Sequence, residues 1–345
     1  MYEEVSAQEC GLSSAQLDFN ENPLGPSPQA IAFVVSAAQD LHRYPRDAAS
    51  RVSGLLARFY GVSPDQILLV NGVDEAIDIT LGLVDSAWVV KPGFDAYSHR
   101  AGVLGKKVRY ITLDDRFEPS CEPQELASGG VVFLAQPHNP TGNFFSSSWM
   151  AAAATSAELI FLDETYIEFS DRDSLMPSVS DDANANLLIF RSFSKVYGLA
   201  GIRLGVLVGS SDLIASLREH QRFHSVDSIA LHAAEGTLSD LEHVARSQAH
   251  IASMRPIYRA CVAHSGLFDD VPPTQTSFVI GKCREGVDGS RLTMVLRDLG
   301  VEVKDCAPIG MPHWIRFSIG TEQNLLLLGW ALSVASARFE TSTGS

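Results

Sequence analysis

Short apolar runs at 67–70, 88–90, 108–112, 131–135, 159–162, 187–190 and 206–208 punctuate the middle of the chain. They are rich in β-branched residues and nearly continuous rather than alternating. A strand that is apolar at almost every position is buried on both faces, as in a mainly parallel sheet covered by helices. The segments between the runs carry helical patterns, as in 148–158 around the alanines at 151–154. Strand alternating with helix points to an α/β fold.

From about Ser211 the pattern changes. Residues 213–223 and 228–263 read as long helices, 278–281 and 315–318 as strands, and 290–299 and 322–335 as further helices. A chain of 345 residues has room for about two domains. The expected division is a large α/β domain over 45–245 and a smaller α+β domain made of 1–44 and 246–345.

The net charge of −15 argues against a nucleic-acid partner. No apolar stretch reaches the roughly 18 residues of a membrane span. The five cysteines are scattered and none forms a CxxC, so neither a disulfide framework nor a metal site is expected, and a reducing cytoplasm fits best. No GxGxxG follows the first strand, and no GxxxxGK[ST] occurs.

Ligands of open parallel sheets bind beyond the carboxyl ends of the strands. Unusual polar residues collect there: Asn71-Gly72-Val73-Asp74-Glu75 after 67–70, His138-Asn139-Pro140-Thr141-Gly142 after 131–135, Asp163-Glu164-Thr165-Tyr166 after 159–162, and Ser192 to Lys195 after 187–190. Each alone is ordinary: a turn, a helix cap, a solvated lysine. Together they predict one site. Lys195 can form a Schiff base with a carbonyl, and the hydroxyls beside it, with Arg203 eight positions on, can hold a phosphate. A cofactor with both an aldehyde and a phosphate is pyridoxal phosphate (PLP).

The set resembles the histidinol-phosphate aminotransferase branch of the fold-type I PLP-dependent aminotransferases, from Leu17 to about Leu328. The resemblance is carried by Asp18-Phe19-Asn20-Glu21-Asn22-Pro23, Arg43-Tyr44-Pro45, Asn71 to Glu75, Asn139 to Gly142, Asp163 to Phe169, the Lys195 signature through Gly205, and Arg316-Phe317-Ser318-Ile319-Gly320-Thr321. It implies a mixed, mainly parallel seven-stranded sheet with helices on both faces, and a homodimer with a shared site.

It also implies roles. Lys195 would hold PLP and move a proton, Asp163 would pair with the ring nitrogen, and Asn139 and Tyr166 would bond its phenolic oxygen. Phe94 would stack on the ring. Gly72, Val73 and Asp74 at a helix start, with Ser192, Ser194 and Arg203, would hold the phosphate. Tyr44 would reach the phosphate of the neighbouring subunit. Asn20, Arg316 and Lys304 would face the substrate.

The chain departs from this branch on the substrate side. Lys304 stands where an arginine is usual, which keeps the charge and loses the planar fork. Val73 replaces a small residue or serine, and Phe223-His224-Ser225 replaces a Pro-Tyr-Asn. The expected reaction exchanges an amino group between a small phosphorylated or carboxylated amine and 2-oxoglutarate/glutamate. A threonine-phosphate decarboxylase-like enzyme, an aromatic amino-acid aminotransferase and a non-catalytic PLP-binding homologue are the alternatives.

Overall fold

A computed structural model describes residues 14–180 and 184–342. Its strands are β1 (Ala15–Leu17), β2 (Ile67–Val70), β3 (Ser86–Lys91), β4 (Lys107–Thr112), β5 (Val131–Ala135), β6 (Leu159–Asp163), β7 (Leu187–Ser192), β8 (Gly205–Val208), β9 (Phe268–Asp270), β10 (Phe278–Cys283), β11 (Val301–Asp305) and β12 (Trp314–Ser318). The helices that bear on the site are α1 (Pro28–Ala37), α2 (Ala48–Tyr60), α3 (Gly72–Gly82) and α4 (Ala96–Val103). They are followed by α5 (Ser147–Ser156), α6 (Ser211–His220), α7 (Ser228–Leu238), α8 (Leu241–Ala263), α9 (Gly289–Asp298) and α10 (Glu322–Ser342).

Every apolar run of the middle region is a strand of one seven-stranded sheet, in the order β2-β8-β7-β6-β5-β3-β4. Neighbours from β7 to β4 are parallel, and β8 runs antiparallel to both β7 and β2. Strand β2 therefore points the same way as β7. Side chains alternate between two cores. Phe133, Phe161, Phe190 and Leu207 pack with Ile77 of α3 and Ile214 of α6 on one face. Val132, Leu134, Ile160, Leu162 and Ile189 join the larger core on the other. Full burial of each such side chain is worth roughly 1.5–3 kcal/mol, which explains why the runs are apolar throughout.

The second sheet, β1-β11-β12-β10-β9, is built from the two ends of the chain. Strand β1 lies parallel to β11, with Ala15 opposite Val301. This pairing delivers the next residues, Asp18 to Asn20, to the edge of the large sheet. Two expectations are corrected. The helix read over 228–263 is two helices, because Asp240 breaks it and caps α8 through the His243 N–H. The helix read over 213–223 ends at His220, and His224 beyond it has a left-handed φ of 54°. Strands β1, β9 and β11 are additions to the sequence reading.

Candidate active site

Parallel pairing sets Ala135 opposite Asp163 and Asp163 opposite Phe190, so the segments after β5, β6 and β7 leave the sheet at one edge. A cavity of about 320 Å³ opens there. Of the residues expected at the site, Lys195, Asp163, Tyr166, Asn139, Phe94 and Val73 line it, as do Ser192, Ser194, Arg203, Asn20, Lys304 and Arg316.

Asp163 ends β6 and is buried. Its Oδ1 accepts the Thr165 N–H at 2.9 Å, and its Oδ2 accepts the Tyr97 hydroxyl at 2.6 Å. Burial pushes its pKa up, while those two hydrogen bonds and the Lys195 charge pull it back. Phe94, which lines the same cavity, stands edge-on to Tyr97, with ring centroids 5.3 Å apart.

Lys195 is partly buried, and its Nζ donates to the Phe19 carbonyl at 2.7 Å. Burial is the main force lowering its pKa to about 8, and the Arg316 charge adds to it. Asn20, with a left-handed φ of 54°, donates from Nδ2 to the Tyr166 hydroxyl at 2.8 Å and is fixed by Ser318 through its N–H and Oδ1. Arg316 donates from Nη1 to Asn139 Oδ1 at 2.7 Å and from Nη2 to the Asp18 carbonyl at 2.6 Å. Its Nε is buried without a partner. Lys304 is the register partner of Arg316 across β11 and β12, so the two cations share the cavity wall.

At the other end, α3 begins at Gly72 directly after β2. Its first-turn N–H groups have no partner within the helix. Gly72 has φ +69°, and a Cβ there would lie 2.8 Å from Arg203 Nη2. The glycine thus lets the guanidinium close on the helix start, where it also pairs with Asp74 Oδ2 at 3.1 Å. Ser192 Oγ accepts the Ser194 N–H at 3.1 Å, and both serines are buried.

Tyr44 lies outside this cavity. It is 75% exposed, stacks on His224 at 4.9 Å, and lines a neighbouring depression that reaches the same Arg203. The sequence reading named Thr165 and Phe19 within motifs without a role for the Thr165 N–H or the Phe19 carbonyl, and it missed Tyr97. Tyr97 stands in the first turn of α4, and nothing local marks it, because its partner Asp163 lies 66 residues on.

It also missed a buried ion network. Arg191 Nη2 meets Glu168 Oε1 at 2.7 Å and Arg191 Nη1 meets Glu164 Oε2 at 3.2 Å, tying the segment after Asp163 to the strand that carries Ser192. Among the described residues, no His, Cys, Asp and Glu cluster is disposed to hold a metal. Nor is any helix there long and apolar enough to cross a membrane.

The chain matches the family model for aminotransferases of class I and II over residues 9–328. It is 33% identical to the histidinol-phosphate aminotransferase of Symbiobacterium thermophilum over 328 residues, 92% of this chain and 90% of that protein. It is 34% identical to the enzyme of the same name from Haloferax volcanii over 337 residues, 93% and 90% of the two chains. Its fold is similar to that of the histidinol-phosphate aminotransferase of Sinorhizobium meliloti solved with pyridoxal-5'-phosphate, with TM-score 0.83 and 26% identity over 94% of this chain and 91% of that one. With the lysine, the carboxylate and the helix start around one cavity, the chain belongs to the class I and II aminotransferases, PLP-dependent enzymes of fold type I.

Proposed function

We propose that this aminotransferase takes histidinol phosphate, or a closely similar phosphorylated amine, as donor and 2-oxoglutarate as acceptor. The observation that carries the substrate reading is Arg316, buried in the cavity wall beside Lys304 and clamped by Asn139 and Asp18, with Nε left without a partner. Two cations side by side in a cavity wall, one of them buried, are costly unless an anion answers them. Histidinol-phosphate aminotransferases among the relatives support the same choice.

The residues present fit PLP. Asp163 would hold the ring nitrogen with its proton. Asn139 and Tyr166 would meet the phenolic oxygen, and Phe94 would cover a ring face. The first turn at Gly72, Val73 and Asp74, with Ser192, Ser194 and Arg203, would receive the phosphate, where helix N–H groups and a guanidinium converge. When bound, the cofactor supplies an electron sink for the substrate carbon and a carbon that carries the amino group. Lys195 would hold it covalently. An amine with pKa about 8 is partly neutral near that pH, so it can take a proton from the substrate carbon and return it. Arg316 and Lys304 would orient the anionic end, and Asn20 would steady Tyr166.

The same proposal includes a homodimer in the cytoplasm in which Tyr44 of one subunit completes the phosphate site of the other. It also keeps the division into a domain of 45–245 and one of 1–44 with 246–345. Exposed Tyr44 and Phe223, at 75% and 98%, support a covered face there.

The test is glutamate formation from 2-oxoglutarate with histidinol phosphate or phenylalanine, beside carbon dioxide release from threonine phosphate. The proposal expects kcat/KM for histidinol phosphate at least about tenfold above phenylalanine, since a phosphate can meet both Arg316 and Lys304 where a singly charged carboxylate answers one cation, and one charge-assisted contact is worth about 1.5–3 kcal/mol. Preference for phenylalanine, or carbon dioxide release alone, would overturn it.

A further inference from the structure

Tyr97 is buried at the start of α4. Its ring lies flat on Phe133, with centroids 4.8 Å apart and planes 11° off parallel, and Phe161 and Phe94 stand against it. Residues from β5 and β6 therefore leave the ring little freedom. Its hydroxyl has one partner, Asp163 Oδ2, at 2.6 Å. The other oxygen of that carboxylate already accepts the Thr165 N–H. Burial, then the neighbouring Asp163 charge, holds the phenol well above its ordinary value, so it remains a donor.

We propose that Tyr97 is a positioning residue for the reaction: its hydroxyl fixes the Asp163 carboxylate and makes it a weak enough base to leave the shared proton on the cofactor's ring nitrogen. The inference rests on the PLP reading above. Its physical basis is simple. A carboxylate that accepts hydrogen bonds holds its charge more easily and binds a proton less tightly. In a buried site, removing one donor raises its proton affinity, and a proton lying between ring nitrogen and carboxylate moves toward the carboxylate. The ring then draws electrons less strongly. Tyr97 and Phe94 also touch, so the residue that sets the acid also supports the one proposed to cover the ring.

The experiment uses the full-length protein loaded with PLP labelled with nitrogen-15 in the ring. In Tyr97→Phe the nitrogen signal should move toward the unprotonated range. The donor KM should change less than about twofold while kcat falls about tenfold or more, the worth of a hydrogen bond to a charged group. On an Asp163→Asn background the same change should cost less than about twofold, because the two residues act as one unit.

A second variant guards against misfolding. 3-Fluorotyrosine at Tyr97, a stronger donor of nearly the same shape, should move the signal toward the protonated range. A fall in kcat with the nitrogen signal unmoved in both variants would assign Tyr97 a packing role only and overturn the proposal. So would wild-type behaviour in both. Wild-type protein that binds no PLP would instead overturn the functional reading.

Discussion

Lys195 shows how one residue's environment selects its chemistry. A lysine in water is protonated near neutral pH and is a poor nucleophile. Here burial first, and Arg316 second, bring its pKa from 10.5 to about 8, with Glu21 opposing. The charged form is thus disfavoured in the folded protein. Cofactor capture by PLP-free protein should rise with pH and level off above about 8. A rise that continues to 10.5 would show a lysine in an ordinary environment. The stability sign follows. Between about 8 and 10.5 the unfolded chain binds more protons at this lysine, so its burial penalty is full below that window and relieved as pH rises through it. Lys195, Asp163, Asn139 and Arg316 were legible as sequence because each is an unusual polar residue beside an apolar strand or inside a distinctive motif. Tyr97 was not, since a tyrosine in a helix reads as core and its partner Asp163 is 66 residues away.

Among the elements, the segment from β7 to β8 is tightly constrained. Gly198 closes the turn after Lys195 by donating its N–H to the Lys195 carbonyl at 3.1 Å. Its φ is +68°, and a Cβ would lie 2.2 Å from the Gly25 carbonyl oxygen. That neighbour is backbone and cannot rotate away. Gly198→Ala should therefore cost about 2–4 kcal/mol in urea unfolding, combining the left-handed penalty with a displaced loop. Gly201→Ala, where φ is not positive and the space is open, should stay within about 0.5 kcal/mol. Equal effects at the two glycines would contradict this account. The strands of the large sheet were legible because burial on both faces makes them continuously apolar. Strands β1 and β9 have three residues each and carry no pattern. Strand β11, Val-Glu-Val-Lys-Asp, is half-buried and alternates over so short a span that only its pairing with β1 and β12 defines it.

At the scale of the whole molecule, the N-terminal segment and the C-terminal strands meet across most of the sequence. Asp18 and Asn20 reach Arg316 and Ser318 through contacts separated by 298 residues. Such long-range pairing leaves no local trace, which is why the resemblance, and not periodicity, placed Asn20 and Arg316 near the site. Assembly can be tested at this scale. If Tyr44 completes the partner's site, co-expressed Lys195→Ala and Tyr44→Ala chains should form mixed dimers with one intact site, recovering about a quarter of wild-type activity on random pairing. No recovery would place both residues' roles within one subunit.

The central claim is that Lys195, Asp163 and the helix start at Gly72 hold PLP for reversible amino transfer. The most direct measurement is the visible spectrum of the purified protein with histidinol phosphate and no oxo acid. The account predicts that the donor alone bleaches the bound-cofactor band in a single turnover and that 2-oxoglutarate restores it, with Lys195→Ala showing neither change. A band that no amine donor bleaches, or bleaching that persists unaltered in Lys195→Ala, would contradict it.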